Sequence, residues 1–423
     1  MTRSPVWHPF TQHAVTPPMK RIVATEGAYL LDEDGTRIFD AISSWWVTTH
    51  GHRHPAIMNA IHEATETYDQ IIFAEFTHEP AEILAKGLIE SAPQGLSHVF
   101  YSDSGSTSVE VAIKMALGSF YNRGIARDRV VVMEHSYHGD TIGTMSAGAR
   151  GVFNAPFEPL LFGVDRLPFP EAGKEQETLD AFEAICRSGK VAALLIEPLV
   201  LGAGGMKFYS SAILRSLREI ASRYSCLFIA DEVMTGWGRT GTQFACDQAG
   251  VAPDILCTSK GLTGGALPLA ATLCTTEIFE AHLSQDRSKT FFHSSSYTAN
   301  AIACAAAVAN LQIWRDEPVE VRIATLAEQH THHLKRFEND ARFANVRQCG
   351  TIAALDLAVP VGGYLAKVGT HFRQLCHEHA ILLRPLGNVI YLMPPYCTSD
   401  EELSATYDVI DEVASLVLAE KKQ

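Results

Sequence analysis

The sequence predicts an α/β fold, in which a large domain with a mostly parallel sheet is joined to a smaller α+β domain. Between about residues 99 and 275, short apolar runs alternate with helical stretches, as is typical of βαβ units. The runs Val191–Ile196 and Leu227–Ala230 are apolar throughout, which is expected of strands buried on both faces of a parallel sheet. After Glu317 and Pro318, which interrupt the helical pattern, helices and strands mix in a way that favours a small α+β unit.

Composition and charge exclude several classes of partner. The chain has 423 residues, enough for two domains, and 47% of them are hydrophobic, so a substantial core is expected. The formal net charge of −14 argues against nucleic acid and anionic membranes, because both attract clustered lysine and arginine. The 9 cysteines include no CxxC pair, no apolar run approaches membrane-spanning length, and residues 1–10 show no signal peptide. A cytoplasmic protein without a disulfide framework is therefore expected.

Aromatic residues near the N-terminus indicate a pocket. Trp7 and Phe10 are poor residues for a disordered tail, so we expect them to plug a pocket. Further along, the turn at residues 32–35 separates two strand-like runs and predicts a hairpin. The adjacent Trp45 and Trp46 cannot both face one core unless the backbone is irregular. Either a loop presents at least one indole to a ligand, or both indoles pack in the core.

Three histidines, His50, His52 and His54, alternate along the chain and raise the question of a metal site. Gly51 and Pro55 interrupt any strand at this point, and no acidic residue or cysteine lies nearby in the sequence. We therefore expect no bound metal.

A turn rich in glycine and serine follows the strand-like run Val99–Tyr101 and precedes a helical pattern. The first N–H groups of a helix have no partner within the helix, and the helix dipole adds positive potential there, so such a turn binds anions readily. We assign a cofactor phosphate to Gly105 and Ser106. Small residues at a helix start also serve as caps, so the assignment depends on the rest of the site.

Two further segments follow predicted strands and are expected at the carboxyl edge of the sheet. Tyr137 follows the run Val130–Met133, and an aromatic ring at that place is able to stack on a heterocyclic ligand. The glycines in residues 202–205 suggest a nucleotide-binding loop, but the segment lacks the GxxxxGK[ST] pattern. A flexible turn is the expected structure there.

The acid and the lysine that carry the chemistry follow two consecutive strand-like runs. The run Leu227–Ala230 is followed directly by Asp231 and Glu232. The run Ile255–Cys257 is followed, after two further residues, by Lys260. Ligands of open α/β sheets lie beyond the carboxyl ends of the strands, so both groups reach one crevice. Pyridoxal phosphate needs a lysine amine for its Schiff base and a carboxylate that keeps its ring nitrogen protonated. The alternative, a helix cap and a surface lysine, explains each residue alone but not the whole arrangement.

The segment from Leu227 to Gly265, with the motif Gly236–Gly241 (GWGRTG), resembles the signature of class III aminotransferases. The resemblance implies the type I pyridoxal-phosphate-dependent transferase fold. It also implies a large coenzyme-binding domain over residues 46–316, and a small domain built from residues 1–45 and 317–423.

The resemblance also assigns roles to single residues. Lys260 is the Schiff-base lysine, Asp231 contacts the ring nitrogen, and Tyr137 stacks on the ring. Ser295 and Ser296 contact the phosphate of the neighbouring subunit, and Ser294 belongs to the same loop near the substrate. A homodimer with shared active sites follows from these assignments.

Other local features resemble the class III members that aminate 8-amino-7-oxononanoate in biotin synthesis. These features are residues 7–11 (WHPFT), 43–46 (SSWW) and 391–396 (YLMPPY), together with Arg384 and Pro385. The resemblance implies that S-adenosylmethionine is the amino donor and 7,8-diaminononanoate the product.

The expected acceptor has an apolar chain that ends in a carboxylate. Trp45 and Trp46 would line its methylene groups, and Arg384 would bind the carboxylate in a bidentate pair. Arg239 is a second candidate for substrate recognition, with a structural ion pair as the alternative. Phe10 belongs to the substrate site as well.

The sequence departs from the family pattern in three places. Phe10 stands where many members have tyrosine, Ser294–Ser296 replaces Gly-Pro-Thr, and Leu201 replaces glutamine. The first departure leaves lysine or another amine open as the donor. Two alternatives remain beside this function: a class III enzyme of another kind, such as an ω-amino acid:pyruvate transaminase or an aminomutase, and a non-catalytic α/β protein that binds a phosphorylated ligand.

Overall fold

Strands and helices alternate along most of the chain. The computed structural model describes residues 4–16, 18–360 and 362–419. The strands are β1 (Ile22–Glu26), β2 (Tyr29–Asp32), β3 (Arg37–Asp40), β4 (Leu96–Ser102), β5 (Arg129–Met133), β6 (Asp165–Leu167), β7 (Val191–Ile196), β8 (Val200–Leu201), β9 (Lys207–Phe208), β10 (Leu227–Asp231), β11 (Ile255–Thr258), β12 (Ala270–Thr275), β13 (Phe343–Cys349), β14 (Ile352–Leu357), β15 (Ile381–Leu382) and β16 (Val389–Leu392). The helices are α1 (Ser43–Trp46), α2 (Pro55–Thr65), α3 (Glu79–Ser91), α4 (Gly105–Asn122), α5 (Ile142–Ala147), α6 (Glu175–Cys186), α7 (Ser211–Arg223), α8 (Ala245–Ala249), α9 (Thr276–Glu280), α10 (Ala301–Asp316), α11 (Val319–Leu334), α12 (Lys367–Glu378) and α13 (Asp400–Ala419), with short 3-10 helices at Ala155–Leu160, Lys260–Thr263, Arg287–Lys289 and Lys335–Phe337.

The largest sheet has seven strands in the order β4-β12-β11-β10-β7-β5-β6. Strand β12 runs antiparallel to its neighbours β11 and β4, and the other neighbouring pairs are parallel. Every residue of β7 is buried, as its uninterrupted apolar sequence predicts. The predicted α/β fold with a mostly parallel sheet is confirmed.

The parallel strands bring five segments to one edge of this sheet. Strand β4 leads into α4, which begins at Gly105, β5 is followed by Tyr137, and β7 is followed by Glu197. Strand β10 ends on Asp231, and its neighbour β11 ends two residues before Lys260. Because carboxyl ends of parallel strands meet at the same edge, residues far apart in sequence converge there.

The two chain ends share a smaller sheet. Strand β15 pairs in parallel with β3, and β2 pairs with β3 in the predicted antiparallel hairpin. Strands β13, β14 and β16 form a separate sheet, and α11 and α12 both pack against α13. The domain limits at residues 45 and 316 remain predictions.

Among the described residues, no helix combines the length and the apolar character that crossing a membrane requires. In the same part of the chain, no group of three or more His, Cys, Asp or Glu side chains is arranged to hold a metal ion. His52 Nε2 lies 2.9 Å from Asp40 Oδ2, and His54 Nε2 lies 3.2 Å from Glu317 Oε1. Both histidines therefore contact acidic side chains that are distant in sequence.

His330, buried between α11 and α13, makes the stability of the fold dependent on pH. Its side chain is buried on α11, with Nδ1 2.8 Å from the hydroxyl oxygen of Tyr407 on α13. Burial, with a contribution from nearby His333, lowers the pKa of His330 from 6.5 to about 3. The unfolded chain therefore binds a proton that the folded chain excludes. The stabilising contribution is complete above about pH 6.5 and is lost as the pH falls from there, by about 1.4 kcal/mol per pH unit.

We predict that His330→Gln removes this dependence. Glu232 acts in the opposite direction in the wild-type protein, because burial raises the pKa of its carboxyl to about 7 and it gains a proton on folding. The informative quantity is therefore the difference in unfolding free energy between wild type and variant, measured with urea at several pH values between about 7 and 5. The wild-type advantage should shrink with falling pH, and a constant difference would contradict the prediction.

Candidate active site

Lys260 lines a cavity of about 330 Å³ at the carboxyl edge of the large sheet. The indole rings of Trp45 and Trp46 and the phenol ring of Tyr137 line the same cavity. Lys260 has φ +24°, and its Nζ lies 5.0 Å from the centroid of the Trp46 ring. Burial lowers the pKa of the Lys260 amine, and the nearby Asp231 carboxylate opposes this effect only in part. The amine is thus shifted toward the neutral form that a nucleophile requires.

Asp231 is fixed in a buried position on the strand next to the one that leads to Lys260. It lies opposite Cys257 in the parallel pair of β10 and β11, and it is 5% exposed. Its Oδ1 accepts a hydrogen bond from Val233 N (3.1 Å), and its Oδ2 accepts one from His138 Nδ1 (2.7 Å). These two bonds set the orientation of the carboxylate at the crevice.

Glu197 is a site residue that sequence reasoning did not select. Its carboxylate accepts hydrogen bonds from Tyr137 N (2.9 Å) and Gly202 N (3.0 Å), so it holds the segment that carries the Tyr137 ring. Burial raises the pKa of Glu197 to about 7, although neighbouring His138 lowers it. The sequence signal that could have identified it is its place directly after a buried strand, like that of Asp231.

The predicted phosphate site lies at the start of α4. Ser104 caps this helix, and its side chain accepts a hydrogen bond from Thr107 N. Gly105 and Ser106 do not line the cavity themselves, but Asp140 does, and Asp140 N donates to Ser106 Oγ (3.3 Å). A Cβ atom at Gly105 would lie 2.6 Å from Val233 Cγ1, so any larger residue would displace the Val233 side chain that follows Asp231.

The serine loop, Ser294–Ser296, lies beside the start of α4 in the same chain. Ser295 Oγ donates to Asp103 Oδ2 (2.8 Å), and Gln70 Nε2 donates to the carbonyl oxygen of Ser296 (3.0 Å). Ser294, Ser295 and Ser296 do not line the cavity of their own chain. Their predicted contacts concern the neighbouring subunit, and these contacts remain predictions.

The tryptophan pair follows an irregular backbone, as the sequence indicated. Residues 43–46 all have positive φ, from +45° to +76°, so the chain turns sharply within α1. Trp46 is buried and its Nε1 donates to Tyr391 Oη (3.0 Å), whereas Trp45 is 37% exposed. Both indoles line the cavity, which reconciles the alternatives of ligand contact and core packing.

Arg384 lines the cavity together with Phe10 and Trp45. Its guanidinium carbon lies 4.6 Å from the centroid of the Trp45 ring, and its Nη2 donates to the carbonyl oxygen of Phe10 (3.2 Å). Phe153 and Tyr364, which the sequence did not suggest, complete the wall with ring centroids 4.4 Å apart. Both lie in loops without periodic patterns, so no local signal marked them.

Two expectations are corrected by the structure. Arg239 does not line the cavity: it is 1% exposed, and its guanidinium donates to the carbonyl oxygens of Pro394, Trp46 and Thr48. The ion-pair alternative is not found either, because all three acceptors are backbone carbonyls. Trp7 is 89% exposed and does not line the cavity, so of the two N-terminal rings only Phe10 contributes to it.

These residues fit pyridoxal phosphate. Lys260, whose amine has a lowered pKa, follows β11, and the oriented, buried carboxylate of Asp231 ends the neighbouring strand β10. The aromatic ring of Tyr137 lines the same cavity as Lys260. The first turn of α4 offers backbone N–H groups to an anion where a Cβ at Gly105 would collide with its neighbour. The donor set therefore matches the amine, the ring and the phosphate requirements of this coenzyme.

Comparison with known proteins identifies the relatives of this chain. Residues 10–414 match the family described as aminotransferase class-III. An adenosylmethionine-8-amino-7-oxononanoate aminotransferase from Synechococcus elongatus is 46% identical, with 96% of this chain and 99% of the relative covered. A protein of the same name from Geobacter sulfurreducens is 37% identical, with 97% and 95% covered.

Solved structures agree with these sequence relatives. The crystal structure of adenosylmethionine-8-amino-7-oxononanoate aminotransferase from Methanocaldococcus jannaschii has a TM-score of 0.92 at 33% identity, covering 97% of this chain and 96% of that one. An amine transaminase from an uncultivated Pseudomonas species, solved in its pyridoxal-phosphate-bound form, has a TM-score of 0.92 at 29% identity, with 98% and 99% covered.

Proposed function

The chain belongs to the class III aminotransferase family, and from this premise we propose that it aminates 8-amino-7-oxononanoate to 7,8-diaminononanoate in biotin synthesis, with S-adenosylmethionine as the amino donor. The enzyme is an aminotransferase and its coenzyme is pyridoxal phosphate. The names of relatives at 33–46% identity over nearly the whole chain support the choice of acceptor and donor.

The observation that carries the proposal is the chemistry of the cavity lining. Lys260 supplies an amine, Arg384 supplies a guanidinium, and the aromatic side chains of Trp45, Trp46 and Phe153 supply apolar wall. An acceptor with a carboxylate at one end, a ketone near the other and methylene groups between them matches this set. Its methylene groups would gain about 25 cal/mol per Å² of apolar area removed from water.

The residues of the site have distinct roles. Pyridoxal phosphate supplies an electron sink when it is bound. Lys260 attaches the coenzyme and, as an amine of lowered pKa, holds or moves a proton at Nζ. With the coenzyme bound, Asp231 would keep the ring nitrogen protonated and Tyr137 would stack on the ring. Gly105 and Ser106 would hold the phosphate at the start of α4.

The donor is tested separately because Phe10 stands where many family members have tyrosine. Purified protein loaded with pyridoxal phosphate is incubated with 8-amino-7-oxononanoate and, in parallel, S-adenosylmethionine, lysine or an ω-amino acid. Mass spectrometry detects diaminononanoate. We expect product with S-adenosylmethionine. Product with lysine alone would change the donor, and amination of pyruvate by the ω-amino acid without any diaminononanoate would replace the proposed function.

The proposal includes a cytoplasmic homodimer with shared active sites. Large apolar side chains are exposed on both sides of the serine loop, at Phe292 and Tyr297, and on the segment after Gln70, at Ile72 and Phe76. Gln70 links these segments, because it donates to the carbonyl oxygen of Ser296. A second copy would cover this apolar surface and bring its own serine loop to the neighbouring phosphate site.

We predict that Arg384→Lys impairs the half-reaction with the acceptor, through weaker binding, more than the half-reaction with the donor. A lysine cannot form the bidentate pair with a carboxylate, so KM for 8-amino-7-oxononanoate should rise by about tenfold to a hundredfold while kcat changes little. Half-reactions measured separately with each substrate provide the readout. Arg373→Lys is the matched control, because Arg373 is a half-buried arginine whose pKa is lowered by burial and by nearby Arg384, and it does not line the cavity. Equal losses in both half-reactions would count against the assignment.

A further inference from the structure

Asn310 contacts the backbone directly after Lys260. It lies within α10, is fully buried, and donates from Nδ2 to the carbonyl oxygens of Gly261 (3.1 Å) and Leu262 (3.0 Å). Both carbonyls belong to the short 3-10 helix that begins at Lys260. Only the nitrogen of the amide is able to donate to carbonyl oxygens, so these two contacts determine the orientation of the Asn310 side chain.

His50 holds the other end of this amide. Its Nε2 lies 2.8 Å from Asn310 Oδ1, and because that oxygen only accepts, Nε2 carries the proton. His50 is 5% exposed, and burial lowers its pKa to about 4, so the ring is neutral near pH 7. The rings of Trp314 and Tyr396 pack edge-on against His50, with centroids 6.3 and 6.1 Å away. The ring is therefore fixed from several sides.

The segment held in this way has an unusual backbone. Lys260 has φ +24°, which residues other than glycine rarely adopt, and such a conformation persists only where its surroundings enforce it. Gly261 and Gly264 are enclosed as well, since a Cβ atom would lie 2.7 Å from Trp237 Cβ or 2.5 Å from Ile57 Cδ1. Within this confined turn, Asn310 is the side chain that hydrogen-bonds to the two carbonyls next to the lysine.

We propose that Asn310 and His50 form a positioning pair, in which His50 orients Asn310 and Asn310 holds the backbone that aims the Lys260 amine into the cavity. Neither residue lines the cavity, so both act through Lys260 and not on the substrate. The proposal rests on the proposed function, in which Lys260 is the amine that attaches pyridoxal phosphate and S-adenosylmethionine is the amino donor.

The experiment measures covalent attachment of pyridoxal phosphate to the apoenzyme, followed by visible absorbance, and then the half-reaction with S-adenosylmethionine. We expect Asn310→Ala and Asn310→Asp to slow both steps by about tenfold to a hundredfold, because each removes hydrogen bonds to the turn. The KM of the donor should stay within about twofold, since no substrate contact is lost. Attachment and half-reaction rates equal to wild type in folded Asn310→Ala protein would overturn the proposal.

Two His50 variants keep the test decisive if Asn310→Ala does not fold. His50→Phe retains a ring but loses the donor, and it should slow attachment by about fivefold to tenfold. His50→Gln, which retains an N–H donor, should recover part of the rate. If His50→Phe attaches the coenzyme at the wild-type rate, the pair has no positioning role.

His330→Gln is the matched control. His330 is also a buried histidine with a lowered pKa and a single hydrogen-bond partner, but it lies between α11 and α13 and does not line the cavity. Its substitution should change the melting temperature and leave the attachment rate unchanged. Failure of the proposed function can be distinguished from failure of the positioning pair. If the proposed function is wrong, the wild-type protein attaches the coenzyme without aminating 8-amino-7-oxononanoate, and the effect of the Asn310 variants on attachment is still measurable.

Discussion

Lys260→Ala is expected to abolish covalent attachment of pyridoxal phosphate and to lower kcat by about ten-thousandfold or more. The substitution removes two functions at once, since the same Nζ attaches the coenzyme and moves the proton. The protein should still fold, because removal of an amine whose pKa is lowered by burial relieves an unfavourable desolvation. Visible absorbance after gel filtration, single-turnover kinetics and a melting curve measure the three effects.

Lys207→Ala is the control for this experiment. Lys207 lies on β9, pairs with Glu171 at 3.2 Å and does not line the cavity, so its substitution tests the loss of a lysine without loss of the site. It should keep wild-type colour and activity. Amino transfer at a substantial fraction of the wild-type rate in Lys260→Ala would refute the assignment of the lysine and, with it, the proposed chemistry.

The sequence predicted the part of the site that depends on strand order. Asp231 and Lys260 each follow an apolar run, and in a parallel sheet the ends of such runs meet at one edge. The prediction therefore needed only the identity of two strands and their parallel direction. The same reasoning applies to Glu197, which also follows a buried strand. It was not selected because a buried carboxylate that accepts backbone N–H groups has no distinctive sequence neighbour.

The other residues of the site depend on contacts that no local pattern encodes. Arg239 resembled a substrate residue because it lies close in sequence to Asp231, yet its guanidinium is occupied by three backbone carbonyls. Phe153 and Tyr364 meet from loops separated by about two hundred residues. Asn310 lies in the middle of an alanine-rich helix, where its side chain is distinguished only by what α10 packs against. Such roles follow from tertiary packing, which brings together residues that are far apart in the sequence.

Asp231→Asn is expected to lower kcat by about tenfold to a thousandfold with little change in KM for the acceptor. An opposite charge in close contact shifts a pKa by about one to three units, and that shift is what keeps the ring nitrogen of the coenzyme protonated. Asparagine preserves the shape of the side chain and an oxygen for Val233 N, and the variant loses the charge together with the oxygen that accepts from His138 Nδ1. Half-reaction rates and a pH titration of the visible spectrum of the bound coenzyme measure the effect.

A coenzyme analogue methylated on the ring nitrogen distinguishes charge from packing in this variant. Its ring is permanently positive and needs no carboxylate to remain so. It should therefore recover activity in Asp231→Asn relative to pyridoxal phosphate. Asp254→Asn is the structural control, because Asp254 pairs with Arg218 and accepts from Phe228 N (2.7 Å), away from the cavity, and its substitution should alter stability and not the spectrum. If the analogue gives no recovery and Asp231→Asn lowers the melting temperature as much as Asp254→Asn does, Asp231 supports the fold and does not hold the ring proton.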